Sequence, residues 1–327
     1  MSNKIDLTVS EMGFLWNSYQ AESMNWCILK YFEKTVEDEQ TKEMNDQLLK
    51  FTEKSLHEIK TTFELENFPI PTAFSSSDLN SSAEKLFTDP FILYFLWFKA
   101  KGNVNYGSIA TNKIAREDVV SFFTNQVKES LAQLNKVRDL LLEKGLWQRS
   151  PYIPVPKEVS FIKKQSFLNG WFGDKRPLIA EEISSIFYNI ITNQIGEQLM
   201  KGFIQSLQDG EVKDYLKRGK EIAEKHITVL SKPLSESELP VPSFWNAGVT
   251  STTTSPFSEK LILNMVAFLN AQGVSNYGIA ISTSFRRDIG STFTRLATEV
   301  AQYAEDGVNL LIEKGWMETP PQAPVLE

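Results

Sequence analysis

The chain has only two imidazoles, His57 and His226, and a single thiol, Cys27. The chemistry they could support depends on the acids around them. A di-metal carboxylate site in a helical bundle needs one glutamate from each of two helices and a Glu-x-x-His pair from each of the other two. Residues three apart put a carboxylate and an imidazole on one helix face. Neither histidine meets that spacing. Lys54 stands three before His57, and Ala223 three before His226. The nearest preceding acids, Glu53 and Glu224, stand four and two positions before the histidines. Glu129 and Glu299 are followed by Ala132 and Gln302 where histidine would be needed, and Glu22 has only Asn193 as its counterpart. No metal site and no cofactor is expected.

Other catalytic arrangements are equally hard to assemble. One cysteine cannot close a disulfide within the chain or build a thiolate cluster, and Trp26, Ile28 and Leu29 mark Cys27 as a small buried hydrophobe. No Ser-His-Asp arrangement is legible. Gly102-Asn103-Val104-Asn105-Tyr106-Gly107 lacks the lysine and the preceding strand of a phosphate loop, and reads as a close helix contact at glycine. No catalytic residue is assigned. The candidate ligand-binding positions are Tyr106, Tyr277, Glu129, Glu299 and His226. Each has a structural alternative: core packing for the tyrosines, a flanking ion pair for the glutamates, a satisfied core position for the histidine.

These residues sit in a repeated frame. Pro69-Ile70-Pro71 recurs as Pro240-Val241-Pro242, and Asn105-Tyr106-Gly107 as Asn276-Tyr277-Gly278. Arg116, Asp118, Phe123, Thr124 and Glu129 recur as Arg286, Asp288, Phe293, Thr294 and Glu299. An offset of about 170 is far longer than a solenoid period and indicates a duplicated domain.

Each copy predicts four helices. Thr8 with Glu11 three residues on is a capping box that starts the first, followed by a stripe of Met12, Leu15, Trp16, Tyr19, Met24 and Ile28. Its copy carries Ile183, Ile186, Phe187, Ile190, Ile195 and Leu199. The second helix is expected near 41–66 and 210–235, and the third from Phe87 or Ser258. The fourth carries Phe123, Val127, Leu131, Leu134, Val137 and Leu141, with Glu129 near that inward stripe. Gly145 and Gly315 read as left-handed caps. Arg116 with Asp118, and Arg286 with Asp288, should order the start of the fourth helix, where an acid suits the dipole. A long proline-marked connection separates the second and third helices, as in ferritin-like bundles rather than simple up-down ones. The expected fold is all-α: two tandem ferritin-like four-helix bundles over 1–150 and 178–327. An aromatic linker over 151–177 joins them, extended by Pro151, Pro154 and Pro156. Its Phe161, Phe167, Trp171 and Phe172 are expected to pack against a bundle.

Composition limits the partners. A hydrophobic share of 42% allows a real core in each half, and a net charge of −7 disfavours nucleic acid. The longest apolar run, Phe91 to Phe98, is too short to span a membrane, and the start of the chain lacks an apolar leader. A cytoplasmic protein is expected, with protein partners or self-association rather than nucleic acid or membrane.

Several stretches resemble a known family: Phe172 to Leu178, Gly219 to His226, Ser275 to Gly278, Arg286-Arg287-Asp288 and Tyr303 to Gly307. They resemble domain of unknown function 3231, an uncharacterised family of spore-forming bacteria that is similar to the spore coat protein F group. The resemblance implies tandem ferritin-like bundles and an association with spores; it brings no activity and no catalytic residues. Three functions fit: a non-enzymatic structural or interaction protein, a binder of small apolar molecules within or between bundles, and a metal oxidase with an atypical site.

Overall fold

A computed structural model describes residues 5–171, 175–243 and 248–324. Among them are eight long α-helices and no strand; the extended backbone contributes one isolated bridge, Leu79 to Phe257. The helices of the first repeat are α1 (Val9–Thr35), α2 (Glu39–Leu65), α3 (Asp89–Thr111) and α4 (Glu117–Glu143). Those of the second are α5 (Ala180–Ser206), α6 (Glu211–Glu236), α7 (Glu259–Thr283) and α8 (Arg287–Glu313). The protein is a tandem pair of helical bundles.

Local chemistry sets the helix ends. Thr8 accepts from the Glu11 amide at 3.3 Å while Glu11 accepts from the Thr8 amide at 2.8 Å, closing the capping box on α1. Asp38 caps α2 by accepting from Thr41 N–H at 2.9 Å. At the end of α4, Gly145 takes φ +66° and Leu146 N–H returns to the Leu141 carbonyl, and Gly315 takes φ +67° after α8. The duplication reaches residues whose types conceal it. Asn67 and Glu238 both adopt left-handed backbone just after α2 and α6, and the next residue in each case bonds back five positions, Phe68 to Phe63 and Leu239 to Leu234.

Glu11 and Glu182 link helix starts within each repeat. The Glu11 carboxylate accepts from the amides of Ala115 and Arg116 ahead of α4, and Glu182 accepts from those of Phe285 and Arg286 ahead of α8. Burial works against the Glu11 charge, yet the amides of Thr8, Arg116 and Ala115 bring its carboxyl down to about 2. The expected arginine–aspartate pairs are present and bidentate: Arg116 with Asp118 at 2.8 and 2.7 Å, and Arg286 with Asp288 at 3.0 and 2.7 Å.

Two compact units emerge. One comprises Met1–Trp147 with Thr250–Ile262 and Lys314–Glu327; the other comprises Gln148–Val249 with Leu263–Glu313. The first unit therefore includes part of the second repeat's crossover. Within it, Ser258 donates to Asp78 at 2.7 Å, Thr250 N–H bonds to the Leu86 carbonyl at 2.9 Å, and Phe257 packs edge-on against Tyr31. Glu318 joins the same unit by accepting from the Ala73 amide at 2.6 Å and from Gln20 at 3.0 Å.

Two expectations are corrected. Leu131 is 47% exposed, while Gln126, Ser130 and Gln133 are buried. At about 100° per residue, position 130 lies within about 20° of the Phe123 direction and position 131 about 80° away, so the middle of the inward face of α4 is polar, between apolar ends at Val119, Phe122 and Phe123 and at Val137, Leu140 and Leu141. The aromatic linker is not packed down along its length. Phe161 and Trp171 are exposed, Phe167 is half-buried, and Phe172 lies outside the described residues. Contacts begin only at Phe167, whose ring lies 4.2 Å beneath the Arg176 guanidinium; residues 149–163 make no hydrogen bond or ion pair with any described residue.

Candidate functional site

Each bundle carries a polar cluster on its inner helix faces, and the two clusters differ. In the first repeat α1 supplies Glu22, α2 Thr52, and α3 Lys99 and Asn103. One carboxylate collects three donors: Thr52 Oγ1 at 3.0 Å, Lys99 Nζ at 3.3 Å and Asn103 Nδ2 at 2.8 Å. The side chains of Lys99 and Glu22 are 2% and 1% exposed. Two full charges removed from water must neutralise each other, with further hydrogen bonds satisfying the rest. Lys99 belongs to the inward stretch of α3, where Phe91 through Ala100 are all buried.

The second repeat places Asn193 where the first has Glu22, and builds around Tyr277. Asn193 Nδ2 donates to the Tyr277 hydroxyl at 2.8 Å, that hydroxyl lies 2.9 Å from His226 Nδ1, and His226 Nε2 lies 3.1 Å from Glu299 Oε2. Lys225 donates to the other Glu299 oxygen at 2.6 Å. The partners fix the tautomer. An ionised carboxylate can only accept, so Nε2 carries the proton; Nδ1 then accepts from the tyrosine, whose oxygen accepts from asparagine. Every link is satisfied with a neutral imidazole. Burial holds His226 below its ordinary range, against the upward pull of Glu299. Burial raises the Tyr277 phenol despite the Asn193 bond. It also works to raise Glu299, but the hydrogen bonds from Lys225 and His226 bring that carboxyl below its usual value.

Neither cluster fits a di-metal centre. In the first, an internal ammonium already occupies the carboxylate; in the second, the corresponding acid is an amide and the histidine is used on both nitrogens. Among the described residues, no group of three or more His, Cys, Asp or Glu side chains is placed to hold a metal ion. A family model described as a protein of unknown function, DUF3231, matches residues 1–159 and again residues 166–327. The chain belongs to this family. No curated protein matches it. A crystal structure of a candidate spore coat protein from Bacillus halodurans C-125 is similar over part of the chain. It has 18% identity and a TM-score of 0.42, and the match covers 46% of this chain and 98% of that one. Among the described residues no helix is long and apolar enough to cross a membrane.

The five candidate positions in this family member separate cleanly. His226, Tyr277 and Glu299 come together. Glu129 is exposed and away from the cluster, because the inward face of α4 passes through Ser130. Tyr106 packs edge-on against Phe14 at 5.3 Å, and burial raises its phenol to about 12 beside the Asn17 amide; the α2 position matching His226 is Ser55. His57 is exposed and Cys27 is buried, its thiol pushed up to about 12 by burial.

Sequence reasoning missed Lys99, Thr52 and Asn103 as partners of Glu22. A lone lysine beside an apolar run was the available signal. It also missed a tyrosine pair between α6 and α8. Tyr215 and Tyr303 stack at 4.2 Å and 7°, and each hydroxyl donates to the other's backbone carbonyl at 3.0 Å. Glycine makes room for them: a Cβ at Gly219 would overlap the Tyr303 hydroxyl, and one at Gly307 the Tyr215 hydroxyl. Gly107 performs a similar service between α3 and α4, where a Cβ would sit 2.7 Å from Val127 Cγ2.

Proposed function

We infer that this protein is a non-enzymatic structural or interaction protein whose bundles serve as closed scaffolds. The observation that carries the reading is Glu22, a buried carboxylate of α1 held by Lys99, Thr52 and Asn103 within the first bundle. A bundle that works on metal or substrate keeps such a group available at its core. Here it is consumed by an internal ion pair, and the second bundle commits His226 in the same manner. Elemental analysis and native mass spectrometry of protein from its native host test this. The expected mass is that of the polypeptide without stoichiometric metal. About two iron or manganese atoms per bundle, lost in Glu22→Gln, would replace the reading with a metal-dependent one.

The proposal includes a spore context, which the sequence resemblance implies. Fractionation of sporulating cells should place the protein with the spore. Recovery from the vegetative cytoplasm alone would remove that part and leave the scaffold reading standing.

A further inference from the structure

The core of the first bundle holds more polar atoms than its own side chains satisfy. The Lys99 ammonium carries three N–H donors, and among the described residues it meets one acceptor, Glu22 Oε2 at 3.3 Å. On the inward face of α4, Gln126 Oε1, Ser130 Oγ and Gln133 Oε1 have no hydrogen-bond partner among the described residues, and neither does Ser18 Oγ, one turn before Glu22 on α1. All four side chains belong to residues more than nine-tenths buried. These atoms share one stretch of the bundle. A Cβ at Gly107 would sit 2.7 Å from Val127 Cγ2 and 3.4 Å from Gln126 Oε1, so that end of α3 faces the first half of α4. The two helices pack against each other and run antiparallel through the connection 112–116. Each turn back along α3 from Gly107, to Asn103 and then Lys99, therefore matches a turn forward along α4, to Ser130 and then Gln133.

The second repeat treats the same positions differently. Where α4 has Gln126, Ser130 and Gln133, α8 has Leu296, Val300 and Tyr303, all buried, and where α2 has Ser55, α6 has His226. The first repeat thus keeps short or hydrogen-bonding side chains where its copy closes the core with apolar and aromatic ones. Chemistry identifies the guest. The two remaining ammonium donors call for an acceptor and repel a cation. The amide oxygens of Gln126 and Gln133 only accept, so they call for a donor; with Glu22 alongside, they repel an anion. A neutral molecule that both donates and accepts meets both sides. Water is the smallest, and buried water ordinarily makes about three hydrogen bonds to groups left unsatisfied by the protein. We propose that the first bundle binds a cluster of water molecules between Lys99 and α4 as a fixed part of its core. Lys99 donates to this water, and the water donates to Gln126, Ser130 and Gln133. The buried ion pair is then solvated from within, whereas the Asn193–Tyr277–His226–Glu299 chain is complete without a guest.

This goes beyond the scaffold reading and is tested apart from it. Oxygen-17 magnetic relaxation dispersion of water in solutions of the full chain registers water held inside the protein. The Gln126→Leu/Ser130→Val double variant introduces the second repeat's own residues, and circular dichroism establishes that it keeps the helical fold. The parent should show a dispersion step from long-lived water, and the variant a step smaller by about one water or more. A crystal structure of the parent, which does not depend on the variant folding, should place ordered water within hydrogen-bond distance of Lys99 Nζ and of Ser130 Oγ. Equal steps in the parent and the folded variant would overturn the proposal. So would a crystal structure in which Lys99 and the polar atoms of α4 pair directly with protein groups, or with an ion or organic molecule in place of water. Either result leaves the metal analysis, on which the scaffold reading stands, unaffected.

Discussion

Replacing Lys99 with methionine tests the central ion pair of the first bundle. The substitution keeps most of the side-chain volume and removes the ammonium, leaving Glu22 with Thr52 and Asn103 in a site 1% exposed. Breaking a buried pair from one side costs about 3–5 kcal/mol. The loss should therefore be about 3–5 kcal/mol, or about 10 °C in the melting transition of a unit this size. Urea melts of the parent, Lys99→Met and the Glu22→Gln/Lys99→Met double variant measure this. The double variant should recover most of the loss, because both charges leave the site together. A double variant as unstable as Lys99→Met would refute the charge argument and leave a packing defect in its place.

Two further outcomes are expected. His226 is held neutral by burial, with its midpoint lowered in the folded state, so the unfolded chain binds the extra proton below about pH 6.5; stability should fall as pH drops through that value, and His226→Asn should flatten this limb in pH-dependent melts. Gly219→Ala should cost about 1–3 kcal/mol by forcing the Tyr303 hydroxyl from its seat, a loss that Tyr303→Phe should partly relieve in a double-variant cycle; an unchanged Gly219→Ala melt would mean the stacked pair is not tightly held.

The duplication, the helix boundaries and the long crossovers were legible because local signals mark them: the Thr8–Glu11 box, the capping glycines, the paired prolines. Asn67 and Glu238 were not, since a helix end in left-handed backbone is normally betrayed by glycine. His226, Tyr277 and Glu299 could each be singled out, yet their convergence depends on how three helices are rotated about their axes. The same holds for Gly219 and Gly307, whose neighbours identified a family motif without revealing the tyrosine hydroxyls above them. Leu131 shows how counting apolar residues misplaces the middle of a stripe when the inward positions there are the polar Gln126, Ser130 and Gln133. The linker aromatics show a different failure. Aromatic content argues for burial only where a surface waits to receive it.

The composite make-up of the first unit bears on the order in which it can be completed. A ribosome releases the helices of the first repeat long before it makes Thr250–Ile262, and Glu318 follows Ala73 by 245 positions. Until those stretches emerge, Asp78 lacks Ser258, the Leu86 carbonyl lacks Thr250 and the Ala73 amide lacks its carboxylate. The half made first is thus finished last. Its nascent form presents an open crossover while the second repeat is still being translated, and a fault near the far end of synthesis strikes the bundle at the beginning.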